Sequence, residues 1–357
     1  MVGKFLKTHN LDMSEHNLTD RERQVLEAVI QSYVGTAEPA GSRTIAKNFR
    51  LGVSAATIRN TMSDLEERGY LYHPHTSAGR VPTDLAYRVY VDRIMARSLL
   101  TPDQHQTIAR ELDHGVSAIE GLLTKAAKVL GVLTEELGFA VSPSFEDAIL
   151  DRLELLPVAS DRLLMVLVLK TGAARTIFVE VASDLPGEAI DKVAVVLNER
   201  LSGSRLRDIR STIRERLRDL DGGRPGQELL NIFVEEADEL FDVSTESDQA
   251  VLLGSARMLA EQPEFSSQEK MRDLIELTER HDLLMGAIRA REEPGLTVTI
   301  GGEHGDPKLN SLTIVTSTYQ YDGLTGVLGV MGPTRMPYEK IVSIVEHTSR
   351  LIGDLRV

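Results

Sequence analysis

The sequence predicts a multidomain α+β chain: an N-terminal module of helices and a short hairpin, then two further parts that mix helices and strands. Three observations predict it. A chain of 357 residues is too long for one typical core and fits two or three. Residues 19–69 carry helical periodicity, helix caps and tight glycine turns. After residue 145 a strand texture appears twice, near 153–181 and 297–332, with amphipathic helices between and after.

Residues 1–17 are polar, without period or caps, and read as a disordered tail. Thr19-Asp20 offers a helix N-cap with Glu22 at N2 or N3, and Val25, Leu26, Val29, Ile30 and Tyr33 follow the helical period. A loop from Gly35 to Gly41 leads to Ser42, read as the cap of a short helix with Ile45, Ala46 and Phe49 on one side. Leu51-Gly52-Val53 makes a turn. Ser54 then caps a longer helix that Gly69 ends at the C′ position, with Ala55, Ile58, Met62 and Leu65 as its apolar stripe. Its opposite face carries Ala56, Asn60 and Ser63, flanked by Thr57 and Arg59, and is small and polar at its N-terminal end.

That helix alone reads first as an ordinary surface helix. Its neighbours decide. Helix, loop, short helix, tight turn and longer helix make the helix-turn-helix order, and a small polar helix end suits the major groove. There Asn can pair with adenine, Arg with guanine, and Ala or Thr can touch the thymine methyl. Tyr70-Leu71-Tyr72 and the turn-rich Pro74–Pro82 stretch add a wing, where His73, His75, Thr76, Ser77 and Arg80 supply donors and Gly79 allows close backbone approach. The module is thus a winged helix-turn-helix over residues 18–100, closed by a helix predicted from Thr83 to about Ser98. Thr101-Pro102, a cap and an N1 proline, begins the next domain.

Helices recur to about Gly138, and paired carboxylates such as Glu135-Glu136 and Glu235-Glu236 are expected on solvated helix faces. Leu153–Val158, Leu163–Leu169 and Thr176–Val181 read as an antiparallel meander. Helices follow at Ala189–Leu201, Leu206–Leu220 and Glu228–Phe241, with a break at Asp221–Gly226. Ala250–Gly254 reads as a strand, and a long helix begins at Ser266-Ser267 and runs to about Arg289. Strands at Thr297–Gly301, Leu312–Tyr319 and Gly326–Gly332 and a closing helix from Tyr338 to Leu355 describe an α+β sensor-like domain. The stretch 146–245 fits an insertion into it, leaving 101–145 and 246–357 as the host.

The net charge of -14 at first opposes a nucleic-acid partner, because phosphate binding is driven by Lys and Arg. Its distribution changes that conclusion. Residues 1–97 carry +2 and residues 98–357 carry -16, and within Arg43–Arg97 nine basic residues face five acidic ones. Zero cysteines exclude disulfides, thiolate metal sites and cysteine nucleophiles. With no apolar run long enough for a span and no signal-peptide core, the expectation is a cytoplasmic protein without membrane contact.

No motif for an enzyme is present. The P-loop, the dinucleotide fingerprint, H-E-x-x-H and G-x-S-x-G are all missing. The Glu303, His304 and Asp306 cluster lies between two strands and reads as a hairpin loop rather than an acid-base or metal site, and no cofactor or metal is expected. Gly326, Gly329 and Gly332 repeat at threes inside a strand that alternates at twos, which fits close backbone contact rather than a phosphate cradle.

Two adjoining motifs, VSAATIRNTMSDLEERGYL from Val53 and PHTSAGRVPTDLAYRVYVD from Pro74, resemble the HrcA-type heat-inducible transcription repressors of bacteria. The resemblance is strongest over 18–97 and continues through QPEF at Gln262–Phe265 and the glycine-bearing GVLGVMGP. Two departures are visible: the family commonly has Asp where Thr61 stands and Gly where Ala86 stands. The resemblance implies a GAF-like domain carrying an inserted dimerising domain, a homodimer on an inverted-repeat operator of double-stranded DNA upstream of chaperone operons, and dependence on the chaperonin, with repression released on heat stress. The DNA contacts expected are Ser42, Arg43, Ser54, Ala56, Thr57, Arg59, Asn60, His75, Thr76, Ser77 and Arg80. The alternative is a winged-helix regulator whose GAF-like domain senses a small metabolite. An enzyme with an appended DNA-binding domain, or an acidic scaffold, is the rival from another class.

Overall fold

The computed structural model describes residues 17–354 except 76–77, 114–118, 144, 146–147, 171, 173, 182–184, 219–222, 242–250, 280–284, 287, 289–294 and 322. The tail expected over 1–17 lies outside the described residues save for Asn17. The chain forms two compact units: one of residues 1–141, 251–319 and 327–355, the other of 142–250, 320–326 and 356–357.

In the first unit, α1 (Asp20–Thr36) begins with a reciprocal capping box between Thr19 and Glu22, the latter at N3. Its buried stripe of Val25, Leu26, Val29 and Ile30 is the predicted one. α2 (Ser42–Asn48) differs in one respect from expectation: Gly41 is the N-cap, and Ser42 is the first helical residue, with no side-chain cap. Gly41 holds the extended φ and ψ that a cap needs, so the hydroxyl one residue later sits inside the first turn. α3 (Ala55–Glu67) is capped by Ser54, which accepts from the Thr57 amide at 3.1 Å. Gly69, at φ 79°, turns the chain out of it. Ile58, Met62 and Leu65 are buried, as is Thr61, whose hydroxyl donates to the Thr57 carbonyl at 3.2 Å.

The hairpin pairs β1 (Leu71–Tyr72) with β2 (Val81–Pro82). α4 (Asp84–Val89) follows, capped by Thr83, and continues as a single π-helical stretch to Ile94. The helix expected to reach Ser98 therefore stops earlier: Met95 donates to Tyr90 and leaves in extended backbone. α4 buries Ala86, Tyr87, Arg88 and Val89 in succession, all round its surface, because it also packs on a strand more than 200 residues downstream.

α5 (Pro102–Asp113) is entered through a second reciprocal box, Thr101 with Gln104. α6 (Ile119–Thr134) leads into β3 (Leu137–Val141), a strand absent from the sequence reading. All five of its residues are buried, so it carries no alternation and merges with the apolar helix before it. The Glu135-Glu136 pair is split by this transition. Glu135 is exposed at φ 63°, but Glu136 is 2 % exposed, which corrects the expectation of a solvated pair.

The second unit is a three-stranded antiparallel sheet of β4 (Leu150–Ala159), β5 (Arg162–Leu169) and β6 (Ala174–Glu180), packed on α7 (Gly187–Leu201), α8 (Leu206–Arg216), α9 (Gly223–Glu235) and α10 (Ala237–Leu240). Leu163, Met165, Leu167 and Leu169 alternate inward from β5 against Ile190, Val193 and Leu197 of α7. Asn198 fastens helix to sheet edge, its amide donating to the Leu153 carbonyl and accepting from the Leu153 amide, both at 2.7 Å. The break expected at 221–226 is shorter than predicted, because α9 starts at Gly223; Pro225 falls in the first turn, where its missing N–H has no helical partner to lose.

The first unit resumes with β7 (Val251–Leu253), α11 (Arg257–Ala260), α12 (Gln268–Glu279), β8 (Leu296–Ile300), β9 (Leu312–Tyr321), β10 (Leu324–Pro333) and α13 (Tyr338–Asp354). The sheet order is β7-β3-β10-β9-β8. A helix from Ser266-Ser267 is present from Gln268 to Glu279, with Ser267 accepting from the Lys270 amide; the stretch expected to carry it to Arg289 falls mostly outside the described residues. Gly329 meets the close contact expected of it, since a Cβ there would lie 2.1 Å from the Val315 carbonyl oxygen. The Ser317 and Ser349 hydroxyls bond at 2.8 Å and Tyr319 donates to the Val141 carbonyl at 2.8 Å, which ties α13 and β3 to the middle of the sheet.

Candidate nucleic-acid interface

The helix α3 is held by its apolar stripe against α1 and α2, so its opposite face is left to solvent. Ala56, Arg59 and Asn60 are exposed there, and Thr57 is half-buried with its hydroxyl 3.0 Å from that of Ser54. Neither Arg59 nor Asn60 has a side-chain partner among the described residues, so both heads are available to a ligand. The N-terminal end of α3 is the positive end of its dipole, with the Thr57 amide taken by the Ser54 cap.

Cations in this module fall into two groups. Arg68 is taken by Glu22 at 2.8 Å, Arg80 by Glu66 at 2.7 Å, Arg88 by Glu303 and Asp92, and Arg97 by Glu346 at 2.9 Å. Arg43, Lys47, Arg50 and Arg59 are exposed and make no ion pair among the described residues. Lys47 and Arg50 were not singled out from the sequence. The signal for them was burial, since only packing separates a spent cation from a free one.

The hairpin is stapled at its base. Ala40 and Arg80 exchange two backbone bonds of 2.8 and 2.9 Å, and a Cβ on Gly79 would lie 2.4 Å from the Ala40 carbonyl oxygen, so only glycine lets these strands approach. Arg80, expected as a wing contact, has a 13 % exposed side chain that spans Glu66 and the His73 ring nitrogen at 2.8 Å. It fixes the hairpin to α3. His73 and His75 are exposed, whereas Thr76 and Ser77 lie outside the described residues. Ser42 is half-buried and Arg43 exposed at the start of α2.

Among the described residues no group of three His, Asp or Glu could hold a metal ion, and no helix is long and apolar enough to cross a membrane. The loop between the paired strands β8 and β9 holds two 3-10 turns, Gly301–His304 and Pro307–Leu309; Glu303 is bound to Arg88, and His304 faces the Leu312 carbonyl at 3.2 Å.

The family model described as HrcA protein C terminal domain matches residues 120–342. A heat-inducible transcription repressor HrcA of Chlorobium phaeobacteroides (strain BS1) is 40% identical over 346 residues, covering 94% of this chain and 97% of the relative. The chain belongs to the HrcA family. The HrcA repressor of Chlorobaculum tepidum is also 40% identical, over 96% of this chain and 98% of its own length. The chain is therefore a heat-inducible transcription repressor, and the matches give it no enzymatic activity. A solved structure described as a hypothetical protein at 2.2 Å resolution shares the fold, with TM-score 0.56, 22% identity and coverage of 95% of this chain and 98% of that one.

Proposed function

We propose that this HrcA-family chain binds an inverted-repeat operator as a homodimer, with α1–α3 and the β1–β2 hairpin acting as a winged helix-turn-helix over residues 18–100. The observation that carries this reading is the polar end of α3: Asn60 and Arg59 are exposed and unengaged among the described residues beside a capped helix N-terminus, with the exposed and unpaired Arg43, Lys47 and Arg50 on and just after α2. Ala56, Thr57 and Asn60 read base edges. Arg59 takes a base or the adjoining phosphate, and Arg43, Lys47 and Arg50 add phosphate contacts.

A bidentate Asn–adenine pair is worth about 1–3 kcal/mol of discrimination. Asn60→Ala is thus expected to narrow the gap between operator and scrambled DNA by roughly 5- to 150-fold in a mobility-shift titration at fixed salt. Unchanged specificity would remove α3 as the reading helix.

The five-stranded sheet with its flanking helices serves as a GAF-like regulatory domain (101–145 and 246–357), and the three-stranded unit inserted in its sequence serves for dimerisation (146–245). What supports the second role is an apolar row across the outer face of that small sheet. Leu156 pairs with Leu164 and Leu164 with Phe178, leaving Leu156 46% and Phe178 61% exposed, with Val158 nearby in sequence at 56%. Such a row covered by the same row of a second copy gives an isologous contact and hence two reading helices for a palindrome. Phe178→Asp is expected to shift sedimentation at micromolar concentration from dimer to monomer; a wild-type monomer counts against dimerisation outright.

Regulation follows the heat response of the family: the chaperonin maintains the operator-binding form, and unfolded protein competes for it. Mobility shifts on a chaperone-operon promoter with and without chaperonin test this step. Equal binding in both excludes it.

A further inference from the structure

One imidazole of the β1–β2 hairpin meets an obligatory donor and an obligatory acceptor at the same nitrogen. Nδ1 of His73 lies 2.8 Å from Nη1 of Arg80 and 3.2 Å from the Gly79 carbonyl oxygen. A guanidinium only donates and a carbonyl only accepts, so Nδ1 serves one of them at a time. A neutral ring with its hydrogen on Nε2 accepts from Arg80. A protonated ring carries hydrogen on both nitrogens, and its Nδ1 donates to Gly79 instead.

The third member of the cluster ties the exchange to charge. Nε2 of His73 stands 3.8 Å from Oε2 of Glu66, and Nη2 of Arg80 donates to that same oxygen at 2.7 Å. Among the described residues, Glu66 from α3 and Arg80 from the hairpin are the charged groups that face the ring. With the ring neutral, Arg80 is the single cation on the carboxylate, and both its terminal nitrogens are bonded. Its Nε is buried without a partner, so this guanidinium is desolvated yet incompletely satisfied.

A proton on His73 then acts twice. Arg80 loses the ring as acceptor, and two cations compete for one carboxylate oxygen, an arrangement that like-charge repulsion opposes. The backbone stays in place, because Ala40 and Arg80 keep their paired bonds of 2.8 and 2.9 Å. The ring retains Gly79 and Glu66, so the Arg80 side chain is the group that leaves.

We infer that His73 is a positioning residue for Arg80: the neutral ring holds the guanidinium against α3, and a proton on the ring transfers Nδ1 to the Gly79 carbonyl and frees Arg80 for a DNA phosphate. Arg80 is thus a phosphate contact held in reserve, and imidazole is the side chain that changes charge between roughly pH 5 and 8. The step from a freed Arg80 to phosphate rests on the DNA-binding reading above; the exchange at Nδ1 stands without it.

Long-range 1H–15N spectra of the full chain, labelled at histidine and with the His73 signals identified by their loss in His73→Gln, read the exchange in the absence of DNA. At about pH 8 wild type is expected to hold its ring hydrogen on Nε2 with Nδ1 bare, and Arg80→Ala, which removes the donor, should move hydrogen onto Nδ1 to meet Gly79. A hydrogen on Nδ1 of wild type at that pH, or an unchanged ring in Arg80→Ala, overturns the exchange. Operator titrations over a salt series read the release. One added phosphate contact steepens log Kd against log salt by about 0.9, and wild type should gain roughly that slope on going from about pH 8 to about pH 6. His73→Gln, whose amide oxygen still accepts from Arg80 but takes up no proton, should lose this gain, and so should Arg80→Ala. A gain that survives in Arg80→Ala means that the imidazolium meets phosphate by itself, and it overturns the release, as does a wild-type slope that ignores pH. The expected ring exchange in a chain that binds no operator at either pH supports the exchange and counts against the DNA reading alone.

Discussion

Arg88→Ala is expected to destabilise the first unit by about 3–5 kcal/mol, the usual consequence of removing one partner from a buried ion pair. The guanidinium is 8% exposed and grips Glu303 at 2.7 and 2.5 Å, the Val298 carbonyl at 2.6 Å and Asp92 at 3.2 Å. Burial alone would lower its pKa, yet the bonds and charges of Glu303 and Asp92 outweigh it and raise the value. Truncation leaves two carboxylates and a carbonyl facing a void. The desolvation already spent on them is then uncompensated. An exposed pair supplies the control: Arg257, with an 81% exposed side chain, meets Glu261 at 2.9 Å, and Arg257→Ala should cost less than about 0.5 kcal/mol. Urea unfolding followed at the two variants should separate them clearly. Equal, small shifts would mean that the clamp between α4 and the β8–β9 loop contributes nothing to holding the helical module on the sheet.

Glu136→Gln should reverse the sign of the usual carboxylate effect. Burial, the leading cause, pushes the Glu136 carboxyl up to about 8; Gln262 and Arg335 pull it down, while Glu264 and Glu135 push with burial. Gln262 donates to it at 2.9 Å and to the Glu135 carbonyl at 3.1 Å. Between the unfolded value of 4.5 and the folded value the native state holds a proton that the unfolded chain has lost. Stability is therefore fully present below pH 4.5 and falls as pH rises towards 8, at up to about 1.4 kcal/mol per pH unit from this group. The amide carries no such penalty. Glu136→Gln is expected to match wild type near pH 5 and to exceed it by about 1–3 kcal/mol at pH 8, measured as thermal midpoints by circular dichroism. Parallel pH profiles in the two proteins would show that the carboxyl ionises freely.

Both residues show where sequence reading stops. Arg88 counted among the nine cations of Arg43–Arg97 and so helped to argue for DNA, yet its charge is consumed by a residue 215 positions away. Arg80 was expected to face phosphate, and its nearest acid is Glu66. Glu136 read as a solvated helix residue because the run from Ile119 carries a helical pattern, and β3 behind it is buried on both faces and shows no alternation. Periodicity reports one covered face. A strand covered on two looks like any apolar run.

The elements with local causes were legible. Thr19 with Glu22, Ser54 with Thr57, Thr101 with Gln104 and Gly69 at the end of α3 each act within a few residues, and the meander at 150–180 alternates because only one face of its sheet is covered. The sequence by itself thus determined the helix order, the caps, the exposed face of α3 that holds Arg59 and Asn60, and the family resemblance that those motifs carry. Only the tertiary structure decided which cations remain free among the described residues and which carboxylate is buried. Those properties depend on contacts between residues far apart in the chain, and burial and pairing arise only when such segments meet.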